Sequence, residues 1–256
     1  MQITQVRNAT QIIEYASARF LIDPMLSPKD AFPAFAGTPN EERRNPTVEL
    51  PFALDRIVDV DAVIVTHTHM DHWDPAASAA LAKAIPLFAQ NEKDAEKLRG
   101  EGFTDVRLLT NDSRFGAIRL TKTPGQHGSD EAIRLLGQRL GEVCGVVFRH
   151  EGERSLYLAG DTVWNAYVAE SIATHAPEAI VLNCGDARIH AVGSIIMGVE
   201  DVRAVAAAAP RATIVATHME AVNHATLSRA DLRQFARDAG FVDRLIVPGD
   251  GETIVL

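Results

Sequence analysis

The sequence predicts an α/β sandwich, in which sheets pack together and helices lie outside them. Three observations predict it. The chain opens with three short strand-like runs and no helix between them. After residue 60, strand-like apolar runs alternate with helix-like runs, and the pattern returns in the second half. Several of those apolar runs end in His, Asp or Asn, as buried strands do when they release polar residues at their tips.

The elements follow in order. Residues 2–6, 11–15 and 18–22 read as strands, with Asn8-Ala9-Thr10 as the first turn and Asp23-Pro24 as the end of the third. Residues 24–53 hold six of the twelve prolines, interleaved with Phe32, Phe35 and Phe52. A proline-rich loop this long is uncommon unless it is a lid, a binding loop or disordered. Its aromatics either wall a pocket or pin a surface loop, and the sequence leaves both readings open. Residues 61–66 form the next strand. Asp74-Pro75 then starts a helix, with Asp as N-cap and Pro at the first helical position, and the alanine-rich stretch 75–84 continues it. Residues 87–89 read as strand, 91–99 as helix, 106–109 and 115–123 as strands. The last of these ends in the turn-rich loop Thr123-Pro124-Gly125-Gln126-His127-Gly128. A hairpin follows, 142–150 and 154–159 around Glu151-Gly152-Glu153. Next come a helix at 164–174, a strand at 179–183, a helix at 199–208, a strand at 212–216, a helix at 228–239 and strands at 244–247 and 253–256.

At 256 residues the chain is expected to form a single domain, 1–256, with the Pro-rich loop at about 24–53 as its irregular part. Hydrophobic residues make up 46% and charged residues 23%, a globular balance. The net charge of −9 argues against a broad nucleic-acid surface, which needs clustered Lys and Arg, although two divalent ions would add about four local positive charges. Cys144 and Cys184 form no CxxC pair and no disulfide framework. The N-terminal residues lack a signal-type apolar segment, and no run approaches the roughly 18–20 apolar residues of a membrane span. A cytoplasmic protein is therefore expected.

The chemistry concentrates in Thr66-His67-Thr68-His69-Met70-Asp71-His72, directly after the apolar run Ala62–Val65. Imidazole nitrogens and carboxylate oxygens are ligands for zinc, and catalytic sites keep a position for water. In an extended segment His67 and His69, two apart, point to one side; Asp71 and His72 come from the following turn and can face another ion. Further strand ends carry His127, Asp161, Asp186 and His218. Each has a bland alternative: an exposed loop His, a helix cap near Trp164, a turn residue, a core His. The first motif asks for more ligands than it supplies, and that favours bringing His127, Asp161 and His218 to it.

The pattern His67–His72, then His127, Asp161 and His218 in that order, resembles the metallo-β-lactamase superfamily across most of the chain. The resemblance implies a four-layer αββα sandwich with the metal site at the sheet edge. It implies His67, His69 and His127 on one metal, Asp71, His72 and His218 on the other, and Asp161 bridging. Ile3–Tyr15, Leu21–Met25 and Thr217–His224 resemble the branch of ascorbate-6-phosphate-lactonase-like hydrolases. That branch often carries His in its first turn, where this chain has Asn8. Large inserted domains, an appended flavodoxin domain and a helical C-terminal substrate domain, which mark other branches, have no counterpart here.

The expected reaction is hydrolysis by a hydroxide held between two divalent ions, Zn or Mn, with Fe also compatible with these ligands. Asp71 and Asp161 are the expected catalytic carboxylates, Asp71 or a bound water protonating the leaving group. A small ester or lactone is the expected substrate. A phosphodiesterase or nuclease using the same two metals, and a non-catalytic metal-binding protein, are the alternatives. For substrate contact the candidates are His190 and His224, with Arg43, Arg44 and Arg188 for an anionic group. Asn183 and Asp186, at one strand tip, are candidates to orient a ligand His. Homo-oligomers are common in the branch, so self-assembly is a further expectation.

Overall fold

A computed structural model describes residues 1–256. The strands are β1 (Gln2–Arg7), β2 (Thr10–Tyr15), β3 (Ala18–Ile22), β4 (Ala62–Val65), β5 (Leu87–Ala89), β6 (Val106–Leu108), β7 (Ser113–Phe115), β8 (Ile118–Pro124), β9 (Cys144–Arg149), β10 (Leu156–Leu158), β11 (Ala179–Asn183), β12 (Arg188–Ile189), β13 (Gly193–Ser194), β14 (Thr213–Thr217), β15 (Leu245–Ile246) and β16 (Thr253–Val255). The helices are α1 (Leu54–Val58), α2 (Pro75–Ala80), α3 (Glu92–Gly100), α4 (Asp130–Leu140), α5 (Ala166–His175), α6 (Val199–Ala208) and α7 (Arg229–Asp238). None is long and apolar enough to cross a membrane.

The strands form two seven-stranded sheets, ordered β16-β1-β2-β3-β4-β5-β6 and β15-β14-β11-β10-β9-β8-β7, and β12 pairs with β13 in a small hairpin. The opening meander is antiparallel, then β3, β4, β5 and β6 run parallel. In the second sheet β10, β11, β14 and β15 are parallel.

Strand alternation builds the layers. On β4, Ala62 and Ile64 face the space between the sheets, where Phe20, Phe88, Val146, Phe148 and Val181 also pack. Val63 and Val65 face the other way, toward Ala77 of α2 and Leu98 of α3. On the far sheet, Ile180 and Leu182 of β11 pack outward on Val168 and Ile172 of α5 and Val202 and Val205 of α6. Helix, sheet, sheet, helix is the expected αββα sandwich.

Most elements lie where expected, and the departures have physical causes. The strand expected at 115–123 is the hairpin β7–β8, which turns at Gly116 with φ +57°. Helix α2 stops at Ala80, where Leu81 takes up extended backbone (φ −79°, ψ 140°) and is buried. Helices α1 and α4 are not in the sequence reading above. For α4 a signal was present: Ser129 caps Ala132 N–H, acidic residues fill the first turn, and Ile133, Leu136 and Leu140 recur at helical spacing. The loop from Asp23 to Ala53 is irregular but much of it is packed: Met25, Leu26, Thr38, Asn45 and Thr47 are buried.

Candidate metal centre

Every chemical group in this centre comes from a strand end. Backbone and buried carboxylates fix how the groups turn. β4 delivers Thr66, His67 and the turn after it; β8 delivers His127; β10 delivers Asp161; β14 delivers His218. Two glycines make the approach possible. At Gly160, φ is +70° and a Cβ would lie 2.3 Å from the Cys144 carbonyl oxygen; at Gly185 a Cβ would lie 2.1 Å from the His218 carbonyl oxygen. Larger residues there would push Asp161 or His218 off the centre. Asn165, not Asp161, caps α5, which leaves the Asp161 carboxylate uncommitted to a helix.

The seven residues predicted from the sequence converge. One donor atom from each of His67, His69 and His127 lies within 4.8 Å of the others, and the same holds for Asp71, His72 and His218. Asp161 Oδ2 reaches both groups, 3.8 Å from His67 Nε2 and 3.6 Å from His127 Nε2, 3.1 Å from His72 Nε2 and 3.7 Å from His218 Nε2. His69 is half-buried and the other six are buried.

The hydrogen bonds settle which nitrogen of each ring turns inward. A carbonyl oxygen only accepts, so His127 Nδ1 donates to Ile195 O at 2.8 Å and His69 Nε2 donates to Arg139 O at 3.1 Å. His72 Nδ1 donates to the Asp23 carboxylate at 2.9 Å. Thr66 Oγ1 donates its proton to the same carboxylate at 2.7 Å, so it accepts from His67 Nδ1 at 3.3 Å. Asn8 Nδ2, a donor only, lies 3.3 Å from His218 Nε2. In His67, His69 and His127 the lone pair faces inward, as metal ligation requires and as outer partners usually arrange it; His72 Nε2 and His218 Nε2 also face inward, onto Asp161 and Asp71, and a cation there would replace any proton they carry. The inward nitrogens lie close together: His67 Nε2 is 3.0 Å from His69 Nδ1, and His218 Nε2 is 3.1 Å from His72 Nε2. Such a donor set fits divalent cations.

Burial governs the charges. It holds His67 well below the usual imidazole value, helped by the neighbouring His72 and His69 rings, and lowers His69; His127 and His224 fall to about 4. His72 is the exception: burial opposes its proton, but Asp161 and Asp23 outweigh that and raise it well above the usual value. Burial would raise Asp71 and Asp161 too, yet the His218 hydrogen bond and His72 hold Asp71 low, and His72 and His218 hold Asp161 low.

A pH prediction follows for the chelator-treated protein. Unfolded imidazoles titrate near 6.5, so below that pH the unfolded chain takes up protons that His67, His69, His127 and His224 refuse, down to about 4 for His127 and His224. Their stabilisation is full above 6.5 and is lost as pH falls through the lowered values; that of His72, raised, is already full below 6.5 and stays constant there. The melting temperature should therefore drop on acidification from 6.5 toward 4. A melting temperature that held level or rose would contradict the buried, neutral state of these rings.

Beside the centre lies a pocket of about 210 Å³, lined by Phe35, Thr38, Met70, Leu140, Ile189, Ile195, Arg139 and His224 together with His69, Asp71, His127 and Asp161. Of the substrate candidates only His224 lines it, its ring edge-on to Phe35 at 4.9 Å. His190 is exposed: in hairpin β12–β13, Ile189 turns in and His190 turns out. Arg43 and Arg44 are exposed on the outer side of the loop, Arg44 donating to the Asp30 and Ala31 carbonyls; Arg188 is exposed and paired with Asp186 at 3.0 Å. None of these four lines the pocket, in contrast to the expectation that they contact substrate there. Asn183 orients a carboxylate rather than a His, donating to Asp161 Oδ1 at 2.6 Å. Asp186 touches no ligand His and instead accepts from Ser194 and Arg188. Sequence reasoning passed over Asp23, Arg139 and Asn223. Asp23 was legible as a carboxylate at the end of an apolar strand, the same signal that picked out Asp161; Arg139 was hidden with α4.

Comparison with known proteins agrees with this geometry. The pattern of the "Beta-lactamase superfamily domain" family matches residues 18–219. The UPF0173 protein YddR of Bacillus subtilis is 49% identical over 254 residues, covering 99% of each chain. A solved isothiocyanate hydrolase from Delia radicum gut bacteria superposes with TM-score 0.97 at 46% identity, over 100% of this chain and 99% of the other. A possible metal-dependent hydrolase from Veillonella parvula superposes at 0.98 with 42% identity, over 100% and 99%. The chain thus belongs to the β-lactamase superfamily, as one of its metal-dependent hydrolases.

Proposed function

We propose that the chain is a single-domain dinuclear hydrolase that attacks an electrophilic carbon of a small, neutral, largely apolar substrate. His67, His69 and His127 would hold one divalent ion, Asp71, His72 and His218 a second, with Asp161 Oδ2 between them. The inward ring nitrogens and the reach of that one oxygen to both groups support this assignment. Zn, Mn and Fe all suit such ligands. When bound, the ions would lower the pKa of water toward about 7 and polarise the bond under attack. The chain's own groups would do the rest. Asp23, Ile195 O and Arg139 O keep the rings turned inward. Asp71, which lines the pocket, would carry a proton to the leaving group.

The pocket lining carries the substrate reading. Phe35, Met70, Leu140, Ile189 and Ile195 form an apolar wall. Its one basic side chain, Arg139, donates from Nη2 to the Ala36 carbonyl at 2.6 Å. A lone arginine against five apolar side chains is thin provision for a phosphate, which counts against a phosphodiesterase and against a phosphorylated sugar acid. The similarity to an isothiocyanate hydrolase makes an isothiocyanate the leading candidate. Water would add across the central carbon, its oxygen ending on carbon and both hydrogens on nitrogen. The C–N bond would break to give an amine and carbonyl sulfide. Small esters and lactones present a comparable carbon and are the competing class.

The purified protein should contain about two equivalents of divalent metal and release amine from allyl isothiocyanate. Chelation should abolish turnover, and added Zn or Mn should restore it. Turnover of γ-butyrolactone or p-nitrophenyl acetate with no release of amine would shift the assignment to the ester class. Turnover of bis(p-nitrophenyl) phosphate alone would sink the carbon-electrophile reading.

A further inference from the structure

The Pro-rich loop reaches the pocket through one buried side chain, Asn223. Its Oδ1 accepts from Phe35 N–H at 3.2 Å and from Asn45 Nδ2 at 2.9 Å. Its Nδ2 donates to Thr38 Oγ1 at 2.8 Å and to Pro39 O at 2.7 Å. Its backbone N–H donates to Asn45 Oδ1 at 2.8 Å, and its carbonyl accepts from Asn40 Nδ2 at 2.8 Å. The side-chain amide is thus used to capacity, two bonds accepted and two donated, at full burial. Thr38 passes the constraint on, its hydroxyl donating to Phe35 O at 2.6 Å.

Two of the residues held this way, Phe35 and Thr38, line the pocket, and so does His224, the next residue after Asn223. The Phe35 ring packs edge-on against that same His224. On the other flank, Arg139 ties Ala36 down while its own carbonyl holds His69. The loop wall is therefore anchored beside the metal centre on both flanks, by Asn223 on one and Arg139 on the other, and among these anchors Asn223 is the side chain bonded to both Phe35 and Thr38.

We propose that Asn223 is a positioning residue that sets how large a substrate the pocket accepts, by holding Phe35 and Thr38 against His224. The proposal rests on the reading of this pocket as the substrate site. Asn223 touches no reacting atom, so its loss should leave the metals and the chemical step in place and loosen one wall. Four buried side-chain bonds vanish together in Asn223→Ala, and each partner left behind has reason to turn to solvent.

Two measurements test this on the metal-loaded enzyme, with Asn223→Ala and the milder Thr38→Val, which removes only the hydroxyl link. The first is the ratio of kcat/KM for methyl and 2-phenylethyl isothiocyanate, run beside p-nitrophenyl acetate and hexanoate. For whichever class turns over, KM for the smaller substrate should rise about tenfold with kcat within about threefold, and the preference for the smaller member should shrink or invert. The second needs no substrate: trypsin should cut after the exposed Arg43 and Arg44 at least several-fold faster in either variant, with metal content unchanged. Faster cutting with no turnover of any substrate by the wild type would keep the loop anchor and discard the function reading. An unchanged size preference and an unchanged cutting rate would overturn the proposal, even if the melting temperature fell. Faster cutting with an unchanged size preference would also overturn the specificity role.

Discussion

An Asp161→Ala protein is expected to lose its metal and, with it, more than about 10³-fold in kcat/KM. Four imidazole nitrogens, from His67, His72, His127 and His218, lie 3.1–3.8 Å from a single oxygen of this carboxylate. No other carboxylate lies within 4.0 Å of ring nitrogens from both clusters. In its absence five inward ring nitrogens and only one carboxylate, Asp71, would face two cations in a buried space, where uncompensated charge is costly. Asp161→Asn separates charge from shape. The amide can keep the contact with Asn183 but offers the cations no negative charge, so it too should lose most of the metal. Metal analysis and steady-state kinetics on the same preparations check both variants. An Asp161→Ala enzyme that keeps two metals and turns over would refute the assignment of Asp161 between them.

Asp23→Asn is the second large effect expected, at about 10–100-fold in metal affinity. Asp23 is a buried carboxylate that accepts from Thr66 N at 2.7 Å, Thr66 Oγ1 at 2.7 Å and His72 Nδ1 at 2.9 Å. An amide offers one accepting oxygen and one donating nitrogen, so the nitrogen must face Thr66 or His72. Facing His72, it would drive the ring proton from Nδ1 to Nε2 and block the nitrogen that points at the centre. At the other position, that of Oδ1, it would meet the Thr66 backbone N–H, a donor that cannot turn into an acceptor. Either way the penalty for a buried unmatched donor is about 1–3 kcal/mol. Asp23→Ala should cost still more stability, since it strands three donors at once. Metal titration against a competing chelator, with melting curves, measures both. Wild-type affinity in Asp23→Asn would show that His72 does not depend on this carboxylate for its tautomer.

The centre and its surroundings were not equally legible. Residues 67–72 announce themselves because four ligand-type side chains follow an apolar strand within six positions, a local pattern. His127, Asp161 and His218 could be singled out because strand ends are visible as breaks in hydrophobic periodicity. Arg43, Arg44 and Arg188 looked suitable by charge alone, but charge says nothing about which side of a loop a residue occupies. The structure puts them outside and gives the wall to Phe35, Ile189 and Ile195.

The sequence by itself determined most of the strand–helix order, though not α1 or α4, the packing of sheets with helices outside, and the seven residues that converge, because these follow from periodicity and from residue type at strand ends; the four-layer αββα form came with the family resemblance. Only the tertiary structure decided which nitrogen of each ring faces inward, since Asp23, Ile195 O and Arg139 O reach their histidines from 49, 68 and 70 positions away. It alone decided that Asn223 anchors a loop nearly 180 residues earlier, through partners such as Asn45, 178 positions away. The physical reason is the same in both cases. Apolar periodicity is a local property of the chain, whereas the satisfaction of a buried polar group depends on whatever the fold brings beside it.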